Sequence, residues 1–183
     1  MDEWVDVWRA VGFDLAVQRL DEGRGGIHRV LAAGGRPGAV VVAADSGRVL
    51  MVSHLRPAIG TTLWEFPRGF GDPADRDGRA TGVRELREET GVETTDVLSL
   101  GPVWPDSGLL ANAVDVVVCR VQDAETTAGD GEVVASAWLS ADEVRDRIRD
   151  GQVRDGITLA AWALVCSQED PSILAAEDGD PGE

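Results

Sequence analysis

The order of segments predicts an α+β fold, a mixed β-sheet packed between helices as an α/β/α sandwich. Short β-branched runs fill the first part of the chain and return after Val97, whereas helical patterns occur only past the middle and near the end. Alternating βα units would spread helices evenly along the chain, so a classical parallel α/β fold is not expected. No internal repeat is visible.

The elements follow in order. In residues 2–11, Trp4, Trp8 and Val11 fit a helical stripe while Val5 and Val7 fit a strand, which leaves this element undecided. Phe13, Leu15 and Val17 alternate with Asp14, Ala16 and Gln18 as a half-buried strand. A glycine-rich turn at 23–26 leads to a second strand at 27–31, giving an N-terminal antiparallel hairpin. Residues 38–44 form a continuous apolar run suited to a buried strand, and Asp45-Ser46-Gly47 turns it into a partner at 48–53. Trp64 and Glu65 close a strand-like stretch before a Gly- and Pro-rich loop. A helix follows, capped by Asp75 or Asp77 and closed by Gly91, although Gly82 in its interior costs about 1 kcal/mol relative to Ala. Strands are expected at 97–103, 114–121 and 132–139, with a polar loop at 122–131 between the last two. Ser140 and Glu143 form a capping box for a helix to about residue 150, and Asp155 caps an apolar last helix at 156–166 that is expected to be buried on most sides.

Glu85, Glu88 and Glu89 stand at i, i+3 and i+4, so on a helix they project from one face and need cations. A solvated charged face neutralised by Arg84 and Arg87 is the plain reading of that run alone. The glycine loop immediately before it favours a second reading, a site for Mg²⁺, with Mn²⁺ as the alternative, because hard carboxylate oxygens bind such ions jointly with substrate phosphates.

The segment resembles the signature box of the Nudix hydrolases, which runs G, five residues, E, seven residues, R-E-hydrophobic-x-E-E-x-G-hydrophobic. Gly69 matches the opening glycine, and Arg84, Glu85, Leu86, Glu88, Glu89, Gly91 and Val92 match the second half. The first half departs from the pattern. Asp75 replaces the first Glu, and one extra residue lies between it and Arg84. In the family this acid is mainly a structural partner, so altered loop packing rather than lost chemistry is expected. The flanks His54-Leu55-Arg56-Pro57-Ala58, Trp64-Glu65-Phe66-Pro67-Arg68-Gly69, Pro105-Asp106-Ser107-Gly108 and Asp155-Gly156-Ile157-Thr158-Leu159-Ala160-Ala161 are similar to the ADP-ribose pyrophosphatase branch.

The resemblance implies metal binding by Glu85, Glu88, Glu89 and the backbone carbonyl of Arg68. It also implies a catalytic base from a loop between late strands. That loop holds Asp123, Glu125, Asp130 and Glu132, and Glu132, at the junction with the following strand, is the choice. Glu132, Glu88 and Glu89 are thus the expected catalytic residues. Arg56, Glu65, Arg68 and Trp104 are the expected substrate contacts. A bidentate diphosphate grip or a structural ion pair both suit Arg56, a site role or a rim salt bridge both suit Glu65, and stacking or core packing both suit Trp104. Arg84 is read as structural, pairing with Glu88 or the loop. Trp64, Trp138 and Trp162 are assigned to the core, and His28 and His54 to no chemical role.

The expected activity is metal-dependent hydrolysis of a nucleoside diphosphate joined to another group, with ADP-ribose first, yielding AMP and ribose 5-phosphate. NADH, nucleotide sugars and nucleoside triphosphates are alternatives within the class, and a non-hydrolysing nucleotide-binding module on the same fold is the rival outside it. A homodimer with contacts through residues 1–36 is expected by analogy.

Charge and composition narrow the partners. A formal charge of −16 on 183 residues disfavours nucleic acid, whose binding rests on a basic surface. Residues 1–168 read as one domain, and 169–183, with six acids and no base, as an acidic disordered tail. Cys119 and Cys166 sit in apolar runs and read as buried thiols in a reducing compartment. An acidic N-terminus and the lack of an apolar run of spanning length lead to the expectation of a cytoplasmic protein with no membrane partner.

Overall fold

The computed structural model describes residues 4–10, 13–19, 28–122, 124–127 and 133–169. The expected glycine turn at 23–26 and the acidic segment 170–183 lie outside the described residues. The undecided first element is a strand, β1 (Val5–Ala10), paired antiparallel with β2 (Phe13–Arg19), which pairs in turn with β3 (His28–Ala32). The two strands of the expected hairpin, β2 and β3, are therefore joined by β1 in a three-stranded sheet with β2 at its centre. Strand pairing overrides the helical stripe of Trp4 and Trp8, which no helical neighbour would have buried.

The main sheet is built around β4 (Gly38–Asp45), buried at every position. Its alternate residues serve two cores. Val40 and Val42 pack with Phe66, Trp162 and Val165 on one face, while Val41 and Ala43 pack with Leu86, Val117 and Cys119 on the other. This double burial is why the strand reads as an unbroken apolar run. β4 runs parallel to β9 (Val114–Arg120), and β9 pairs antiparallel with β8 (Asp96–Val103). On its other side β4 meets β5 (Arg48–Arg56), which pairs with β10 (Val133–Ser140).

The hairpin of β4 and β5 is a fork rather than a ladder. The two strands pair only at Ala44↔Val49 and Asp45↔Arg48. Beyond that point β6 (Thr61–Glu65) takes up β5, and β7 (Arg68–Phe70) takes up the start of β4. Phe66, fully buried in the core, and Pro67 bridge the opening. The stretch expected to be a loop after Glu65 is thus partly strand, because the splayed β4 offers free backbone groups to Arg68, Gly69 and Phe70.

Among the described residues three α-helices cover the sheet: α1 (Gly78–Thr90), α2 (Ala141–Arg149) and α3 (Gly156–Cys166). The capping box of α2 is present, with the Ser140 side chain accepting from Glu143 N and the Glu143 side chain accepting from Ser140 N. Gly82 has a packing reason. A methyl group there would stand 3.2 Å from Val41 Cγ2 and 3.3 Å from Val117 Cβ, both on buried strands, so α1 approaches the sheet closely only because this residue lacks a side chain. Two expectations fail for α3. Only Thr158, Ala161, Trp162 and Val165 are buried, and Cys166 is exposed, because α3 lies on the sheet along one side and, among the described residues, its other side is left partly open. Cys119 is buried as expected, and its thiol is pushed up to about 12 by burial, with Asp96 adding.

Candidate active site

The sequence builds the site from the two ends of one segment, β6 to α1. Asp77, not Asp75, caps α1 by accepting from Ala80 N, and Gly91 closes it with φ 72°. Residues 78–83 are regular helix, so the extra residue of the box is absorbed before the cap, at Arg76 and Asp77. Asp75 is thereby left in the loop, where its carboxylate accepts from Asp72 N at 2.8 Å, from Thr81 Oγ1 at 3.1 Å and from Arg84 Nη2 at 3.0 Å. Burial opposes its charge, but these bonds outweigh it and hold the carboxyl below its ordinary range. The shorter acid still reaches Arg84.

Glu85 and Glu89 are buried and Glu88 is exposed at the rim. Gly69 lies against Glu85 so closely that any side chain there would collide with the carboxylate. A methyl group on Gly38, across the ladder, would stand 2.8 Å from Gly69 O. The two glycines therefore let the strand, the loop and the acid come together. Burial raises the Glu85 carboxyl above its ordinary value, against the lowering effect of the Arg84 charge and hydrogen bond.

Arg84 Nη1 stands 2.8 Å from Glu85 Oε1 and 2.8 Å from Glu88 Oε2, while Nη2 donates to Phe70 O at 2.8 Å. The sequence assignment of Arg84 to Glu88 and the loop holds, with Glu85 and Asp75 added. Among the described residues no three carboxylate, imidazole or thiol groups converge as a ready ligand set. The donor set nonetheless fits a hard divalent cation: acidic oxygens share one face, and a single positive nitrogen already bridges two of them. Backbone direction adds to this. Pro67 O accepts from Val41 N at 2.8 Å, so the Arg68 amide faces away from β4 and donates to Glu89 Oε1 at 3.4 Å. In an extended strand the carbonyl of Arg68 lies on that same side.

Beside the box lies a second cluster. Glu65, with no exposed side-chain surface, accepts from Arg56 Nε at 3.0 Å and Nη2 at 2.5 Å, and from Arg68 Nε at 3.1 Å. Arg68 Nη2 also donates to Asp155 Oδ1 at 3.0 Å. Burial works against the charge of Arg56, but Glu65, with Asp155 and Glu89 behind it, raises its pKa above the ordinary value. Of the alternatives for Arg56 and Glu65, the structure shows the ion pair, and it is a buried one beside the box rather than a rim bridge. Each arginine side chain is about one-fifth exposed, and no hydrogen bond among the described residues uses Nη1 of Arg56 or Arg68.

Trp104 falls elsewhere. Trp104, 53% exposed, lines a cleft of about 430 Å³ with His28, Arg29 and residues 107–111, apart from the box glutamates. Glu132 lies outside the described residues. Trp64 packs at the core edge with the Arg147 guanidinium 4.2 Å over its ring. A groove of about 860 Å³ runs along the far side of α1 past Arg76, Arg79 and Arg87 and includes none of the three glutamates. Sequence reasoning missed Asp155 and Thr158 as wall residues. The cap pattern of Asp155 was readable, whereas its contact with Arg68, 87 positions away, was not.

Comparison with known proteins gives concordant results. Residues 35–160 match the family model described as NUDIX domain. An ADP-ribose pyrophosphatase of Mycobacterium tuberculosis is 29% identical over 69% of this chain and 63% of its own length. A methanol dehydrogenase activator of Bacillus methanolicus is 29% identical over 73% of this chain and 74% of its own. The chain thus spans under two thirds of the first of these relatives. A solved structure described as an ADP compounds hydrolase superposes with a TM-score of 0.66 at 20% identity, covering 90% of each chain, and supports the fold.

Proposed function

Because the chain belongs to the Nudix hydrolase family, we propose that it hydrolyses a nucleoside diphosphate linked to a second group, ADP-ribose foremost, to AMP and ribose 5-phosphate. The observation that carries this reading is the juxtaposition of the acidic face of α1 with two guanidinium groups anchored on one buried carboxylate, Glu65. Glu85, Glu88, Glu89 and the Arg68 carbonyl would hold a divalent cation, Mg²⁺ or Mn²⁺, which when bound supplies neutralisation of the diphosphate charge. Glu65 fixes one edge of each arginine and leaves the other to grip phosphate oxygens. Trp104 offers an exposed ring for stacking on a base.

Glu132 takes the proton of the attacking water in this scheme. Its replacement by Gln is expected to slow turnover by about a hundredfold or more, with affinity for the cation retained. Unchanged kcat in a single-turnover assay would remove Glu132 from the mechanism.

Release of AMP from ADP-ribose, compared with NADH, nucleotide sugars and nucleoside triphosphates and with Mg²⁺, Mn²⁺ or EDTA, tests the reading directly. The similarity to an enzyme activator favours a second reading, a nucleotide-binding regulator of another protein. Binding of nucleotide without any turnover would select it.

A homodimer is part of the proposal. β1 is the edge of its sheet, and its Val5, Val7 and Trp8 are 60%, 56% and 52% exposed, an apolar surface suited to a second copy. Light scattering after gel filtration should give twice the mass of one chain, and a monomeric mass would refute the claim. The proposed setting is the cytoplasm. No described helix is long and apolar enough to cross a membrane.

A further inference from the structure

The geometry points to Asp155 as a positioning residue that holds the Arg68 guanidinium, so that the first turn of α3 sets the phosphate-gripping edge of the site. The inference rests on the reading of Arg68 as a phosphate-binding residue.

Asp155 divides its two oxygens between two tasks. Oδ2 accepts from Thr158 N at 2.8 Å and from Thr158 Oγ1 at 2.9 Å, which is an ordinary helix cap. Oδ1 accepts from Arg68 Nη2 at 3.0 Å and takes no part in the cap. A second tie runs beside the first. The Thr158 hydroxyl, 1% exposed, accepts from Phe66 N at 3.2 Å while donating to Asp155. The opening turn of α3 is therefore bound twice to the segment that carries Phe66, Pro67 and Arg68, the same segment whose next residue, Gly69, makes room for Glu85.

The tie matters for orientation. Glu65 offers Arg68 a single oxygen, Oε2, which lies 3.1 Å from both Nε and Nη2 and is shared with Arg56 Nη2, so Asp155 supplies the second, unshared acceptor. With Asp155 in place, Arg68 Nε is held by Glu65 and Nη2 lies between Glu65 and Asp155, so the guanidinium plane is pinned from two sides. Among the described residues Nη1 has no partner and remains for a ligand. Capping by itself does not call for this second contact. Asn or Ser would cap α3 about as well, but Asn would turn an NH₂ donor toward Arg68, and Ser would fall short of it.

The substitution Asp155→Asn isolates the second task, with Asp155→Ser as the companion variant should the first fold poorly. With ADP-ribose and Mg²⁺ as probe, either is expected to raise KM about tenfold while kcat changes little, the signature of lost ground-state positioning. Arg68→Ala should raise KM at least as much, and the double variant Arg68→Ala/Asp155→Asn no further. In ¹⁵N-arginine spectra of the full chain, the Arg68 Nη2–H signal, identified by its loss in Arg68→Lys, should exchange faster with water in Asp155→Asn. An unchanged KM and an unchanged signal would overturn the inference, as would full additivity of the two substitutions. If Arg68→Ala leaves KM unaltered, or no substrate turns over, the phosphate reading of Arg68 fails instead, and the signal alone then decides whether Asp155 holds the guanidinium.

Discussion

Replacing Glu88 and Glu89 together by Gln should abolish release of AMP from ADP-ribose, by more than about a thousandfold, while the protein stays folded. The substitutions are isosteric. Glu88 is exposed, so its amide meets water, and Arg84 retains Asp75, Glu85 and Phe70 O as partners. Glu89 is buried, yet Gln keeps an oxygen for the amide of Arg68. What is lost is two negative charges on the face that would hold the cation. A readout independent of turnover separates a lost metal site from a damaged fold. Mg²⁺ or Mn²⁺ should raise the melting temperature of the wild type, as any ligand selective for the native state does, and should leave that of the double variant unmoved. Turnover surviving in the variant, or in EDTA, would refute the metal assignment.

The second large effect is on stability. Glu65→Leu should cost about 3–5 kcal/mol, because it strips the common, fully buried partner from two arginine side chains that are themselves mostly buried. In a chain of this length that lowers the melting temperature by roughly 6–20 °C. Glu65 has no exposed surface, and its neighbour Phe66 is equally buried, so water cannot replace the missing carboxylate without opening the fork of β4 and β5. Arg68 would keep Asp155, whereas Arg56 would keep no ion pair among the described residues, so the site should lose affinity as well as stability. A loss below about 1 kcal/mol in urea unfolding would mean that the pair is solvent-screened and contributes as a surface bridge does. Glu65→Gln should lie between wild type and Glu65→Leu, since it keeps an acceptor but not the charge.

These two expectations draw on different sources. The glutamate face of α1, its glycine stop, the capping box of α2 and the cap of α3 were legible in the chain because each is a local relation within one or two helical turns, where spacing dictates geometry. The family resemblance rests on the same kind of local relation. It survived a departure at Asp75 because the extra residue falls in the irregular loop, which can absorb it, rather than in the helix, where it would have rotated all three glutamates.

Tertiary structure alone decided the rest. Only the fork of β4 and β5 converts the expected loop after Glu65 into β7 and carries Glu65 to the buried centre of the wall. The residues that meet there, Arg56, Glu65, Arg68 and Asp155, come from three elements and the edge of a fourth, so no spacing predicts their union. Gly82 read locally as a weakness and proved to be the point where α1 approaches β4 and β9. Local sequence specifies which side chains share a helix face. Which faces meet depends on chain segments that are remote in sequence and are brought together by burial, and that is where the wall of this site was made.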